Sequence, residues 1–173
     1  MVNSMIHKLY LWDSSPMSAP TVVLIQGTGG KAFCAGGDIK NIYDANIGKV
    51  NSIVKAEFFA REYLLDYALT QMKPLQISLW NGIVMGGGVG ISVHAPIRIA
   101  TDNTVYAMPE TGIGFFTDVG GSYFLSRVHN NINFGLFLGI TGERLKARDL
   151  VKWGVATHYV PQDKIESFVD TLK

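Results

Sequence analysis

Glu110 and Asp118 are the only charged side chains in the stretch from Ala107 to Gly121, where they stand among Ile113, Phe115 and Phe116. A carboxylate in such company is partly desolvated, which raises its pKa toward values useful for giving or taking a proton. Asp118 has a second possible employment, as the N-cap of a following helix. Glu110, placed directly after Pro109, has no comparable structural use.

Two glycine loops could serve those carboxylates. The first runs Gly27-Thr28-Gly29-Gly30 and then Phe33-Cys34-Ala35-Gly36-Gly37-Asp38; the second is Met85-Gly86-Gly87-Gly88-Val89-Gly90. Each follows an apolar strand and opens a helix, where unpaired N–H groups point outward at the positive end of a helix dipole. Two such N–H groups converging on one oxygen make an oxyanion hole, and glycine lets a carbonyl come close. Tight packing of two turns is the simpler reading of either loop alone. Phosphate cradles are excluded by spacing. Gly30-Lys31 has Ile25 where a Walker loop needs glycine and Ala32 where it needs Ser or Thr, and a dinucleotide loop from Gly86 and Gly88 would need glycine at Ile91.

The elements that must position these residues read as α/β. An amphipathic helix spans Val2 to Trp12, and a strand buried on both faces runs from Thr21 to Gln26. A long helical pattern covers residues 50–71, with Phe58, Leu65 and Leu69 on one stripe. Further strands are predicted near 75–80, 97–100, 105–108 and 155–160. An apolar helix runs from the second glycine loop to about His94, and others lie at 119–128, 132–139, 146–152 and 162–172. Strand, glycine turn and helix recur, so the sheets are expected to be mostly parallel.

Composition narrows the function. The chain has 173 residues, 47% hydrophobic and 17% charged, which suits one packed domain over 1–173 and excludes a disordered tail. A net charge of +1 gives no reason to expect a nucleic acid or a membrane surface as partner. No apolar run reaches the ~18 residues of a membrane span. His7, Lys8 and Asp13 interrupt the first helix, which reads as neither a secretory signal nor an Arg-rich transit peptide. The single cysteine, Cys34, rules out an internal disulfide and suits a reducing or matrix-like compartment. It reads as a small buried hydrophobe rather than a nucleophile.

Taken in order, Phe33–Asp38, Met85–Gly90 and Met108-Pro109-Glu110 resemble the crotonase superfamily. The Glu110…Asp118 pair and Phe59-Ala60-Arg61-Glu62-Tyr63 resemble its 3-hydroxyisobutyryl-CoA hydrolase branch. The resemblance covers nearly the whole chain. It implies a ββα spiral of stacked, mostly parallel sheets with helices outside, incomplete at both ends: family members begin with a further strand and continue with helices that close the site. It also implies that the N–H groups of Gly37 and Gly87 form an oxyanion hole for a thioester carbonyl. Glu110 and Asp118 become the catalytic carboxylates, and Glu62 a substrate contact, although a solvated helix charge is the simpler reading of Glu62. Lys31, Ala32, Phe33, Ala35 and Gly36 would lie along the CoA chain.

Enoyl-CoA hydratases carry a second glutamate where this chain has Gly90, so the resemblance favours hydrolysis. The expected reaction is conversion of a short 3-hydroxyacyl-CoA, 3-hydroxyisobutyryl-CoA in valine degradation, to the free acid and CoA. Glu110 would act as nucleophile or as base toward water. No cofactor is expected beyond the CoA of the substrate. Homo-oligomers and a mitochondrial matrix location are expected of such a protein. Two other readings stand beside it: a non-catalytic subunit of a larger assembly such as the mitochondrial ribosome, and an enoyl-CoA hydratase or isomerase.

Overall fold

The computed structural model describes residues 1–172. Eight strands form two four-stranded sheets, and the chain moves between them almost strictly in turn. One sheet orders β1 (Val22–Gln26), β3 (Leu75–Trp80), β5 (Ile97–Ala100) and β8 (His158–Tyr159), all parallel. The other orders β2 (Ala32–Cys34), β4 (Ile83–Met85), β6 (Val105–Ala107) and β7 (Leu145–Lys146), parallel except for the last pair. Each step is thus a strand in the first sheet, a short strand in the second, then helix or loop. This is the expected crotonase-like ββα spiral. β3 shows why the sheets are parallel: five of its six residues are buried, as befits a strand covered on both faces.

The helices are α1 (Val2–Ser14), α2 (Ile39–Asn46), α3 (Ile53–Thr70), α4 (Gly87–Gly90), α5 (Gly121–Leu125), α6 (Ile132–Thr141), α7 (Ala147–Lys152) and α8 (Ile165–Asp170). The main core joins both sheets and the helices through Leu65, Trp80, Val84, Tyr106, Leu138 and Leu150, and a smaller cluster packs Ile165 of α8 against Ile77, Leu79 and Ile99. Among the described residues no helix is long and apolar enough to cross a membrane.

Several elements differ from the sequence expectation. β2 and β4 have three residues each and lie inside what reads as glycine loop; alternation cannot register over so short a run. α2, for which the residue pattern offers an opening loop but no range, has Asp38 as its N-cap, and the Asp38 side chain accepts from Asn41 N–H at 3.2 Å. The helix expected to reach His94 is a single α-turn ending at Gly90, followed by turns. The strand expected over 155–160 is only His158–Tyr159.

Two polar networks hold the second glycine turn in place. Trp80 Nε1 donates to Ser92 Oγ at 2.9 Å, and Ser92 Oγ donates to Gly88 O at 2.6 Å. Gln76 Nε2 donates to Ile91 O at 3.0 Å. β3 therefore anchors α4 through buried side chains, and the turn cannot drift without leaving those groups unpaired.

Candidate active site

The two glycine turns abut. A Cβ on Gly36 would lie 3.3 Å from Met85 O and 3.6 Å from Gly87 N, and one on Gly87 would lie 3.6 Å from Gly37 N while colliding with Glu62 Oε1. Gly36 and Gly86 have φ of 105° and 50°, a backbone region that glycine enters without strain. A Cβ on Gly37 would strike the Phe58 ring. Glycine is thus required here by close approach, and the Gly37 and Gly87 nitrogens are neighbours. Gly87 opens α4, so its N–H has no partner within that helix.

Both turns border a cavity of about 720 Å³. α2 supplies Ile39 and Tyr43 to its wall, α3 supplies Lys55, Phe59 and Glu62, and the segment after β6 supplies Glu110 and Asp118. A groove of similar volume, about 730 Å³, lies between α1 and the end of α3, but neither glycine turn reaches it.

Glu110 opens a 3₁₀ turn (Glu110–Ile113) after Pro109 and is 7% exposed. Its Oε1 lies 3.2 Å from where a Gly86 Cβ would stand, and its Oε2 has no hydrogen-bond partner. Burial pushes its pKa up, Asp118 adds to that, and a bond from its own backbone N–H opposes it. The desolvation read from the sequence is present, although Ile113 and Phe116 face outward.

Asp118, 8% exposed, is not the helix cap that its position suggests. α5 begins three residues later, with Gly120 at its N-cap and no side-chain cap. Two successive left-handed residues, Val119 (φ 49°) and Gly120 (φ 77°), separate Asp118 from the helix. That conformation is costly for a β-branched residue, and here it turns the chain beside the carboxylate. Asp118 Oδ1 accepts instead from Tyr63 OH at 2.7 Å. Burial and that bond push the Tyr63 pKa up, so the hydroxyl keeps its proton and donates. Phe59 links the same two segments, its ring 5.9 Å from Tyr63 and 5.8 Å from Phe115.

Glu62 is 8% exposed and borders the cavity, which removes the reading as a solvated helix charge. Burial first, then Asp118 and Glu110, raise its pKa to about 7. Ala35 and Gly36 line the cavity with Gly37. Lys31, Ala32 and Phe33 do not: Phe33 is buried in the core, and Ala32 is paired within the sheet through Ile83. Cys34 is half-buried on β2, and burial holds its thiol pKa above normal, against a nucleophile's role.

Two participants escape the sequence reading. Tyr63 was visible only as part of a motif. Asp66 was not singled out, yet its Oδ2 lies 2.7 Å from where a Gly90 Cβ would stand, the same distance as Val119 Cβ. A side chain at position 90 has no room. The signal was available: Glu62, Leu65, Asp66 and Leu69 fall at i, i+3, i+4 and i+7, one face of a helix, and three of them are buried.

Comparison with known proteins agrees with this geometry. The model of the family described as enoyl-CoA hydratase/isomerase matches residues 1–173. A Danio rerio protein named "3-hydroxyisobutyryl-CoA hydrolase, mitochondrial" is 49% identical over 172 residues, 99% of this chain and 44% of its own length. The Homo sapiens protein of that name is 43% identical, over 99% of this chain and 43% of its length. The chain thus spans less than half the length of these relatives. Among solved structures, a carnitinyl-CoA dehydratase from Mycobacterium thermoresistibile superposes with TM-score 0.87 and 38% identity, over 99% of this chain and 48% of that one. An enoyl-CoA hydratase from Rhodobacter sphaeroides gives 0.88 and 32%, over 99% and 50%. With residues 1–173 matched by the family model and the fold of solved enoyl-CoA hydratases reproduced, this chain belongs to the enoyl-CoA hydratase/isomerase family, the crotonase superfamily.

Proposed function

We propose that the chain carries the catalytic core of an acyl-CoA thioester hydrolase, acting on a short 3-hydroxyacyl-CoA in the mitochondrial matrix. The substrate is 3-hydroxyisobutyryl-CoA, released as 3-hydroxyisobutyrate and CoA in valine degradation. The observation that carries this reading is the convergence of Glu62, Glu110 and Asp118 on one cavity with the Gly37 and Gly87 turns, while position 90 is closed to a further side chain. Hydration of a double bond needs two carboxylates facing the alkene. In this family's hydratases one of them comes from position 90, and Asp66 and Val119 fill that volume here. The names of the relatives that match nearly the whole chain point the same way.

In this reading the thioester oxygen sits between Gly37 N–H and Gly87 N–H, which stabilise the charge that develops on it. The Glu110 carboxylate is short of partners and close to Gly86. Either it attacks the carbonyl carbon and expels the CoA thiolate, leaving a mixed anhydride that water hydrolyses, or it takes a proton from the attacking water and passes it to the departing thiolate. Asp118, with Oδ1 fixed by Tyr63, presents Oδ2 to the substrate hydroxyl. Glu62 bounds the acyl end beside Gly87. The CoA chain leaves past Ala35 and Gly36 along α2.

The test is to incubate the chain with 3-hydroxyisobutyryl-CoA and, separately, with crotonyl-CoA. Free thiol should be released from the first, without water addition to the second. Hydration without thiol release would establish a hydratase instead. Turnover of neither would favour a non-catalytic subunit.

A further inference from the structure

One buried carboxyl group has no part in the chemistry above. Asp66 lies one helical turn after Glu62 on α3 and does not border the cavity. Both its oxygens are sealed from solvent and neither has a hydrogen-bond partner. Asparagine would fill the same space without a charge, so packing gives no reason for an acid here, and a buried unpaired carboxylate is destabilising. The space itself is made by Gly90, beside which Oδ2 lies.

The groups around Asp66 all disfavour its charge. On α3 the group is Glu62, and on the segment after β6 it is Asp118; the neutral Tyr63 hydroxyl donates to Asp118, and Glu110 acts on Glu62. From α4 to β5 the only titratable side chain before Arg98 is His94, whose Nε2 lies on Gly120 and whose pKa burial and Arg98 lower. On the other flank α1 carries His7, Lys8 and Asp13, all exposed, and beyond α5 the Arg127 guanidinium lies over the exposed Tyr123 ring. No cation offsets the carboxyls in the ion pairs formed among the described residues.

We propose that Asp66 is a positioning residue that acts on Glu62 through charge, so that these two carboxyl groups, one helical turn apart and set against Gly87 and Gly90, hold one proton between them. The inference rests on reading the cavity as a thioester site. Glu62 Oε1 stands against Gly87, where negative charge develops on the thioester oxygen. A carboxylate at that point repels the charge; a protonated carboxyl does not, and it can donate to the substrate. Burial raises Glu62 and Asp66 both to about 7, helped at Asp66 by the charges of Glu62 and Asp118 and at Glu62 by those of Asp118 and Glu110. In a coupled pair, loss of the first proton makes loss of the second harder, so the last proton stays to a higher pH than either group would hold it alone.

The experiment is a carboxyl ¹³C titration of the whole 173-residue chain, its Asp66→Asn and Glu62→Gln variants and the double variant, joined to the pH profile of thiol release from 3-hydroxyisobutyryl-CoA. Wild type should show two carboxyls titrating near neutrality at separate midpoints. Each single variant should lose the upper midpoint, and the double variant should lose both. In Asp66→Asn the alkaline limb of kcat/KM should move down by about one pH unit, a tenfold change in proton affinity. If Asp66→Asn does not fold, Glu62→Gln still decides, because Asp66 must then titrate lower than in wild type. Ordinary acidic ionisation of Asp66 in wild type overturns the proposal. So does an Asp66→Asn variant that melts differently but keeps both the upper midpoint and the alkaline limb. Two neutral-range titrations without turnover in any form would support the shared proton while contradicting the thioesterase reading.

Discussion

Arg98 and the carboxyl cluster are both polar groups placed against the core, and they are treated in opposite ways. The Arg98 guanidinium donates to Val155 O at 2.7 Å, Ala95 O at 2.6 Å and Gly154 O at 3.3 Å, and its backbone N–H donates to Thr157 Oγ1 at 2.8 Å. It ties the segment before β8 to the start of β5, with its donors shared among three carbonyls. Across the molecule, Glu110 Oε2 and both oxygens of Asp66 have no partner, and Asp118 has one fixed oxygen. A polar group that the fold needs is satisfied by the fold. Of those left open, Glu110 borders the cavity beside Gly86, where an incoming molecule could supply what is missing; Asp66 is sealed behind Gly90, and the buried Tyr106 hydroxyl on β6 is also unpaired.

The contrast can be broken first at Glu110. Glu110→Gln keeps the shape and removes the base or nucleophile, so thiol release should fall by ~10²–10⁴-fold or more. A variant that kept most of its rate would place the chemistry elsewhere. Arg98→Met should do the reverse. It leaves buried carbonyls unpaired and should cost about 3 kcal/mol in denaturant unfolding, roughly 100-fold in the folding equilibrium, without changing the pH profile of the surviving folded fraction.

The pH dependence of stability sharpens the contrast further. Glu62 and Asp66 ionise near 4 when unfolded and at about 7 when folded. A raised carboxyl pKa means the native state holds protons that the unfolded state has released. Their contribution is therefore fully present below pH ~4 and is lost as pH rises toward 7. Unfolding midpoints should fall across that window, and Asp66→Asn should flatten the fall. The smallest effect is expected at Tyr63. Tyr63→Phe frees Asp118 Oδ1, and turnover should drop about tenfold with little change in melting temperature.

Much of this was legible from residue order. β3 and the long helix announce themselves through burial and spacing, and Glu110 stands out as an acid without a structural use. The short strands β2 and β4 were hidden because three residues between glycines carry no periodicity. Asp118 misled through its position: an acid ahead of a helix reads as a cap, whereas Val119 in the left-handed region turns the chain aside and leaves the carboxylate to Tyr63. Asp66 was hidden for another reason. An acid in a helix is normally solvated, and only its place on the Leu65–Leu69 stripe shows that it faces inward. Lys31, Ala32 and Phe33, placed along the CoA chain by resemblance, lie on or beside β2 and outside the cavity wall.

The central claim is that the open carboxyls serve chemistry and not folding. The measurement that meets it most directly is thioester turnover of the Glu62→Gln/Glu110→Gln/Asp118→Asn variant on 3-hydroxyisobutyryl-CoA, with the unfolding midpoint of the same sample recorded beside wild type. Turnover should vanish while the midpoint stays equal or rises, because three buried carboxyl groups give way to neutral amides of the same shape. A variant that unfolds, or that still hydrolyses the thioester, would contradict the account.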